Sequence, residues 1–369
     1  MSSRWEAALE RLRGRVERTA TAPLSGFPHF ADPEEGSWTC SPAGDWTGGF
    51  WNGMLWLSAA TTAHAPFRSW AQEWTRKLLP RVHSDTVFRG FLFYYGAALG
   101  DLLLGDPVGR EVGLAGAQAL AESFNPVAGV LPLGNEAEEA SDVGRSEANV
   151  DTVQSSALLS WAARLLGDER LAQIARQHAL RHIEFCLRPD GSVCQSASFD
   201  PATGALRRRY THKGIRDDST WGRAQAWGMV GWALAYQWER EARLLAAAEA
   251  AADWWIAHRP DDYVAFWDFD DPAIPHTNRD TSATAIAAAS LLKLAGLTAD
   301  RDRAARYRAE AEATVAALIE GYLTPDGRLL AGCYNKRIGL ATNHELIWGS
   351  YYLYEALHVL AGALEPNRI

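Results

Sequence analysis

The feature that most constrains this chain is the spacing of its apolar residues, which is helical almost from end to end. About twelve helices are predicted, near 3–20, 46–63, 67–80, 89–104, 109–122, 150–166, 170–187, 221–238, 242–258, 280–296, 301–320 and 343–362. Two kinds alternate. "ALERLRGRVER", "RLAQIARQHALRHIEF" and "RDRAARYRAEAEATVAALIE" are charged along one face. "WTGGFWNGMLWLSAA", "GFLFYYGAALG", "SSALLSWAARLL", "AWGMVGWALAY", "TSATAIAAASLL" and "ELIWGSYYLYEAL" are small, aromatic and nearly uncharged all round. A helix apolar on every side is buried on every side. The predicted fold class is therefore all-α, an (α/α)6 barrel of six inner and six outer helices, as a single domain over residues 1–369. A superhelical stack of helix pairs is the alternative, but no repeat of fixed length recurs. Only short pieces such as "YVAFWDF" and "RLLAGCY" read as extended, between turn signals. The longest irregular stretch, Ser123 to Ala148, exceeds a plain connection and reads as a lid or substrate loop.

Of the 369 residues 47% are hydrophobic, enough for a large core. A net charge of -9 argues against a nucleic-acid partner. An anionic small substrate stays open, because local cations override a global sign. Cys40, Cys186, Cys194 and Cys333 lack metal-like spacing and read as reduced thiols. The charged N-terminal helix is no signal peptide, and no stretch is long enough to span a membrane. A soluble cytoplasmic protein, monomer or homodimer, is expected. No cofactor and no metal are expected: the ten histidines are scattered, and His178 and His182 lie on a charged outer helix. Neither a phosphate-cradling glycine loop nor a GxSxG elbow is present.

The buried helices open with "DWTGG", "FRGF", "NVDTV", "DDSTW", "NRDTS" and "NHELIW". Asp, Asn, Ser and Thr cap helix starts, and Asp suits the positive end of the helix dipole. In a ring of this kind the inner helices all start at one end, so these groups converge on one cup. Capping does not explain Arg89, Arg223, Gln225, Arg279 and His344 at the same level, nor Trp46, Trp221 and Trp227 around them. In "DDSTWGRAQAWG" (217–228), Arg223 and Trp227 share one helix face and Trp221 and Gln225 another. An arginine fork suits a carboxylate, and tryptophan is a wall for a pyranose ring. The expected ligand is a sugar acid.

In "WTGGFWNGMLW", "VDTVQSSALLSWA", "LRPDGSVCQSASFDPATG", "KGIRDDSTWGRAQAWG", "FWDFDDP", "RDTSATAIAAASLL" and "GSYYLYEAL" the chain resembles the unsaturated glucuronyl hydrolases, glycoside hydrolase family 88, over about residues 45–360. The resemblance implies an (α/α)6 barrel and the hydrolysis of oligosaccharides whose terminal uronic acid carries a C4=C5 double bond. That bond is a vinyl ether. Protonation at C4 and addition of water at C5 give a hemiketal that collapses and releases the next sugar, so one proton-exchanging carboxyl suffices. By position, Asp151 matches the family's catalytic aspartate. Trp221, Arg223 and Trp227 match substrate contacts, and Trp46 an aromatic wall.

The chain also departs from the family pattern. "VFRGF" puts Phe88 where a second aspartate is usual, Gln195 replaces a histidine and Lys213 a glutamine. Phe88 is a candidate to desolvate Asp151, and Asp85 to swing in. Arg89 and Lys213 add positive charge suited to an extra sulfate or carboxylate. The other readings are a lyase or a hydrolase of saturated uronides on the same barrel, with His212, Tyr210 or His344 as base, and a degenerate sugar-binding protein without catalysis.

Overall fold

The computed structural model describes residues 3–64, 66–138 and 144–369. Outer and inner helices alternate along the chain. They are α1 (Arg4–Thr21) then α2 (Gly48–Thr61), and α3 (Pro66–Arg76) then α4 (Arg89–Phe93), which a π turn (Tyr94–Ala98) continues into α5 (Leu99–Leu104). Next come α6 (Pro107–Ala121) then α7 (Ser155–Leu166), α8 (Glu169–Cys186) then α9 (Gly222–Glu239), α10 (Ala242–His258) then α11 (Thr281–Leu297), and α12 (Arg301–Gly321) then α13 (Ile347–Leu360). Each inner helix touches the next, and α13 packs on α2, which closes the ring. The fold is an (α/α)6 barrel, as the periodicity predicts. Among the described residues no helix is long and apolar enough to cross a membrane.

Burial separates the two rings. In α11 every residue from Thr281 to Leu294 is buried. In α12 the buried residues are Tyr307, Ala311, Thr314, Val315, Leu318 and Ile319, one stripe at helical spacing. Glycine lets the inner helices approach backbone to backbone. A Cβ on Gly49 would stand 2.4 Å from the Phe91 carbonyl oxygen, and one on Gly90 2.7 Å from the Ser155 Cα. The π turn has a use of its own. It leaves the Gly96 carbonyl to accept from Asn52 Nδ2, Trp56 Nε1 and Thr75 Oγ1 at 3.2, 3.1 and 2.7 Å, which ties α2 and α3 to the second inner helix.

The strands lie elsewhere than the sequence suggests. β1 (Phe27–Ala31), β2 (Trp38–Ser41) and β6 (Glu345–Leu346) form one antiparallel sheet in the order β2-β1-β6, and β3 (Glu147–Asn149), β4 (Ser196–Phe199) and β5 (Leu206–Tyr210) another in the order β3-β4-β5. "YVAFWDF" and "RLLAGCY" make only isolated bridges, such as Trp221 to Asp268 and Gly332 to His344. The true strands escape pattern reading because they are short and alternate poorly. β5 exposes four of its five residues. Both sheets brace the starts of inner helices: β6 runs straight into α13, and β3 into the 3-10 turn (Val150–Gln154) that precedes α7.

Helix starts also differ from expectation. Asp280 caps α11, accepting from the Ser282 and Ala283 amides. Thr47, Phe88, Trp221 and Leu346 begin α2, α4, α9 and α13 with no side-chain cap. The acids of "DDSTW" do not cap α9. The Gly222 amide instead donates to the Trp267 carbonyl at 2.9 Å, so a neighbouring loop satisfies the helix end. Of the irregular stretch from Ser123 to Ala148, residues 139–143 lie outside the described residues.

Candidate active site

At the starts of α2 and α13 the aromatic residues form a wall. Trp46 packs on Trp348 with ring centroids 4.7 Å apart, on Phe88 at 6.1 Å and on Tyr334 at 6.2 Å. Its Nε1 donates to the Tyr334 hydroxyl at 3.3 Å. His29 lies edge-on to Tyr334, and its Nδ1 is 2.7 Å from Thr47 Oγ1. Burial pushes the His29 imidazole down to about 4; Glu138 opposes the shift and Lys213 adds to it, so the ring is neutral at pH 7. One turn below, Trp227 faces Phe50, Phe91 and Tyr352 at 5.7–6.2 Å and forms the floor.

Against this wall stands Lys213. Its residue is 3% exposed, and its Nζ lies 4.8 Å from the Tyr334 ring centroid and 5.8 Å from that of Trp46. The Glu138 carboxylate meets it at 3.2 Å and also accepts from the Tyr334 hydroxyl. Burial raises the Glu138 carboxyl, but the Lys213 charge and the two hydrogen bonds outweigh it and hold the group below its usual range.

Asp151 is the second residue of the 3-10 turn at the head of the third inner helix, and the residue is 6% exposed. Asn149 caps this turn through the Asp151 amide at 3.0 Å, and Gln154 Nε2 donates to the Asp151 carbonyl at 3.2 Å. From behind, His178 staples it. His178 Nδ1 accepts from the Leu131 amide at 3.1 Å, so Nε2 carries the proton and donates to the Thr152 carbonyl at 2.9 Å. Burial, with His182 adding to it, keeps His178 neutral.

Gln195 joins the two halves. Its backbone carbonyl accepts from the Val150 amide at 2.8 Å. Its Oε1 accepts from Thr211 Oγ1, the His212 amide and the Lys213 amide at 2.8, 2.8 and 3.1 Å. The residue before Asp151 and the loop bearing Lys213 thus hang on one residue, the first on its backbone and the second on its side chain. Beside it, buried Glu147 accepts from the Tyr210 hydroxyl at 2.6 Å and meets His212 Nε2 at 2.8 Å.

Arg223 is bonded within the protein. It is 1% exposed and its fork is already used: Nη1 pairs with Asp280 Oδ2 at 2.7 Å and also donates to the Cys333 carbonyl, and Nη2 donates to the Tyr334 carbonyl. Its guanidinium lies 4.3 Å from the Trp221 ring centroid. Arg223 therefore holds the Tyr334 segment against α9 and α11 through both Nη atoms.

Five predicted residues do not join the cluster. Arg89 donates to the Thr86 and Val82 carbonyls at 3.0 and 2.7 Å and lines a separate cavity of about 380 Å³ with His83, Asp85, Glu122 and Arg145. Gln225 ties α9 outward, to the Val193 amide and the Gly191 and Ala251 carbonyls. His344 stands beyond Phe30, 5.6 Å from its ring. Asp85 does not swing in, because its Oδ2 takes Asn135 Nδ2 at 2.8 Å and Arg145 Nη2 at 3.1 Å. Arg279 is engaged by Asp262 at 2.7 Å. His29, Glu138, Glu147, His178, Tyr334 and Trp348 were not singled out for the cup from sequence. Motif signals marked only Trp348, in "NHELIW", and Asp280, the partner of Arg223, in "NRDTS". Among the described residues no cluster of three His, Cys, Asp or Glu side chains is placed to hold a metal ion.

No family model matches the chain. It is 32% identical over 366 residues to the unsaturated glucuronyl hydrolase of Bacillus sp. (strain GL1), covering 96% of each chain. It is 30% identical over 323 residues to the unsaturated chondroitin disaccharide hydrolase of Streptococcus pyogenes serotype M1, covering 85% of this chain and 80% of that one. The crystal structure of the Bacillus sp. GL1 enzyme superposes with a TM-score of 0.90 over 96% of both chains. A further solved structure, also 32% identical and with a TM-score of 0.91, is of a complex with dGlcA-Glc-Rha-Glc. With identity at this level over nearly its whole length, and with the barrel in common, the chain belongs to the unsaturated glucuronyl hydrolase family.

Proposed function

We infer that this chain hydrolyses oligosaccharides ending in a 4,5-unsaturated uronic acid, with Asp151 as the general acid and base. Asp151 protonates C4 of the vinyl ether, the carboxylate then takes a proton from the water that adds at C5, and the hemiketal collapses to free the next sugar. The observation that carries this is that Gln195 ties the residue before a buried carboxyl, Asp151, to the backbone of a buried cation, Lys213. The cation suits a uronate, and the Trp46–Trp348 wall suits a sugar ring. Buried donors without a protein partner, Gln195 Nε2 and Trp348 Nε1, support the reading, because sugar hydroxyls would satisfy them. Trp221, Phe88 and Trp227 complete the apolar lining. We assign the work to one barrel domain over 1–369, in the cytoplasm, as a monomer or homodimer.

The test is loss of the ultraviolet absorbance of the C4=C5 bond on a panel of lyase-made unsaturated disaccharides. The wild-type chain should bleach at least one member, and Asp151→Asn should lower kcat at least about a hundredfold. A variant that keeps its activity removes Asp151 from the acid role. A panel untouched by the wild type, but bound, leaves a sugar-binding protein.

A further inference from the structure

Lys213 is a charge that has to be answered. A buried ammonium is stable only when paired, and the chain supplies the partner from an irregular segment, between α6 and β3, rather than from a barrel helix. One oxygen of Glu138, Oε2, takes both donors of the site, Lys213 Nζ at 3.2 Å and the Tyr334 hydroxyl. That hydroxyl also accepts from Trp46 Nε1. A carboxylate held by an ammonium and a phenol beside a tryptophan face is the arrangement expected for a bound uronate. The two partners differ in access: the Glu138 side chain is 30% exposed, that of Lys213 4%. A ligand therefore meets the carboxylate before the cation.

Resting on the reading above, the geometry points to Glu138 as a built-in competitor of the substrate. Its carboxylate occupies on Lys213 and Tyr334 the place that an oxyanion of the oligosaccharide takes in the complex, either the uronate or a sulfate ester on the neighbouring sugar. Two carboxylates on one ammonium repel each other, so binding requires the Glu138 side chain to rotate out. The apparent affinity is then reduced by the fraction of time that Lys213 is engaged. Glu138 sets selectivity for anionic sugars, since a neutral sugar has nothing to displace it with.

The experiment measures Kd by calorimetry in an Asp151→Asn background, for the unsaturated chondroitin disaccharide with and without a 6-sulfate, and KM in the chain with Asp151 intact. Glu138→Gln keeps the volume and removes the charge. It should tighten Kd and lower KM about tenfold, as for a site engaged about nine-tenths of the time. Glu138→Asp keeps the charge but falls one methylene short, and should tighten binding in the same direction if Glu138→Gln folds poorly. With Lys213→Gln in place, Glu138→Gln should change Kd less than about twofold. An equal gain for both disaccharides identifies the uronate as the displacing group, and a gain confined to the sulfated one identifies the sulfate. Unchanged or weaker binding by both Glu138 variants with normal melting, or the same gain without Lys213, overturns the inference. The outcome is separable from the hydrolase reading. Tighter binding with no turnover sinks that reading alone, whereas turnover with unmoved Kd and KM sinks only this one.

Discussion

Arg223 is legible in type from the sequence but not in its protein partners. As a sequence element it is a planar fork beside two tryptophans. In the fold its fork bonds Asp280 and two backbone carbonyls. Asp280 in turn caps α11 and accepts from the Cys333 amide. Arg223→Met leaves this carboxylate buried and unpaired, which should cost about 3–5 kcal/mol, read as a lower urea midpoint. A variant of wild-type stability whose KM alone rises would show instead that the fork is kept for substrate. Helical phase explains the residues that turned away. Gln225 sits two positions after Arg223, about 200° round the helix, and so bonds to the outer layer.

At the level of elements, the 3-10 turn that presents Asp151 is held from an outer helix. His178 joins the Leu131 amide to the Thr152 carbonyl, with both ring nitrogens used. The sequence showed only two histidines on a charged helix. Their burial follows from the stripe of α8 that faces inward, where His178 and His182 are fully buried. His178→Leu strands a donor and an acceptor, at roughly 1–3 kcal/mol each. It should also lower kcat more than it raises KM, because the turn carrying Asp151 loses its rear support. An unaltered kcat in a destabilised variant would limit His178 to a structural role.

For the whole molecule the buried histidines set an acid limit. Burial pushes His29, His182 and His358 down to about 4 and His178 well below its usual value. The unfolded chain binds these protons near pH 6.5 and the native one does not, so stability is full above about pH 6.5 and falls as pH drops towards 4. Each of the first three contributes about 3 kcal/mol at the acid end. Asp268, Glu345 and Glu355, raised by burial, act in the opposite sense as the pH falls, but they are fewer. Calorimetry should give a Tm that is level from pH 8 to 7 and declines steadily from 6.5 to 4.5. A Tm that is flat through that interval would show that these rings protonate without unfolding cost.

Sequence alone determined the barrel, because the apolar period and the contrast between all-round and one-sided helices are local properties that leave few ways to bury so much surface. It also indicated the end of the barrel at which polar groups gather, and offered Asp151, Trp46 and Lys213 as candidates there. Tertiary structure decided which of those groups meet. Glu138 and Lys213 lie 75 residues apart, Arg223 and Asp280 57, and Trp46 and Tyr334 288. No spacing rule reaches across such separations, since the pairing depends on how the loops fold back over the rim. The short strands were hidden for a related reason. Their pairing is set by hydrogen bonds to distant segments, and strands as exposed as β5 leave almost no hydrophobic alternation to read.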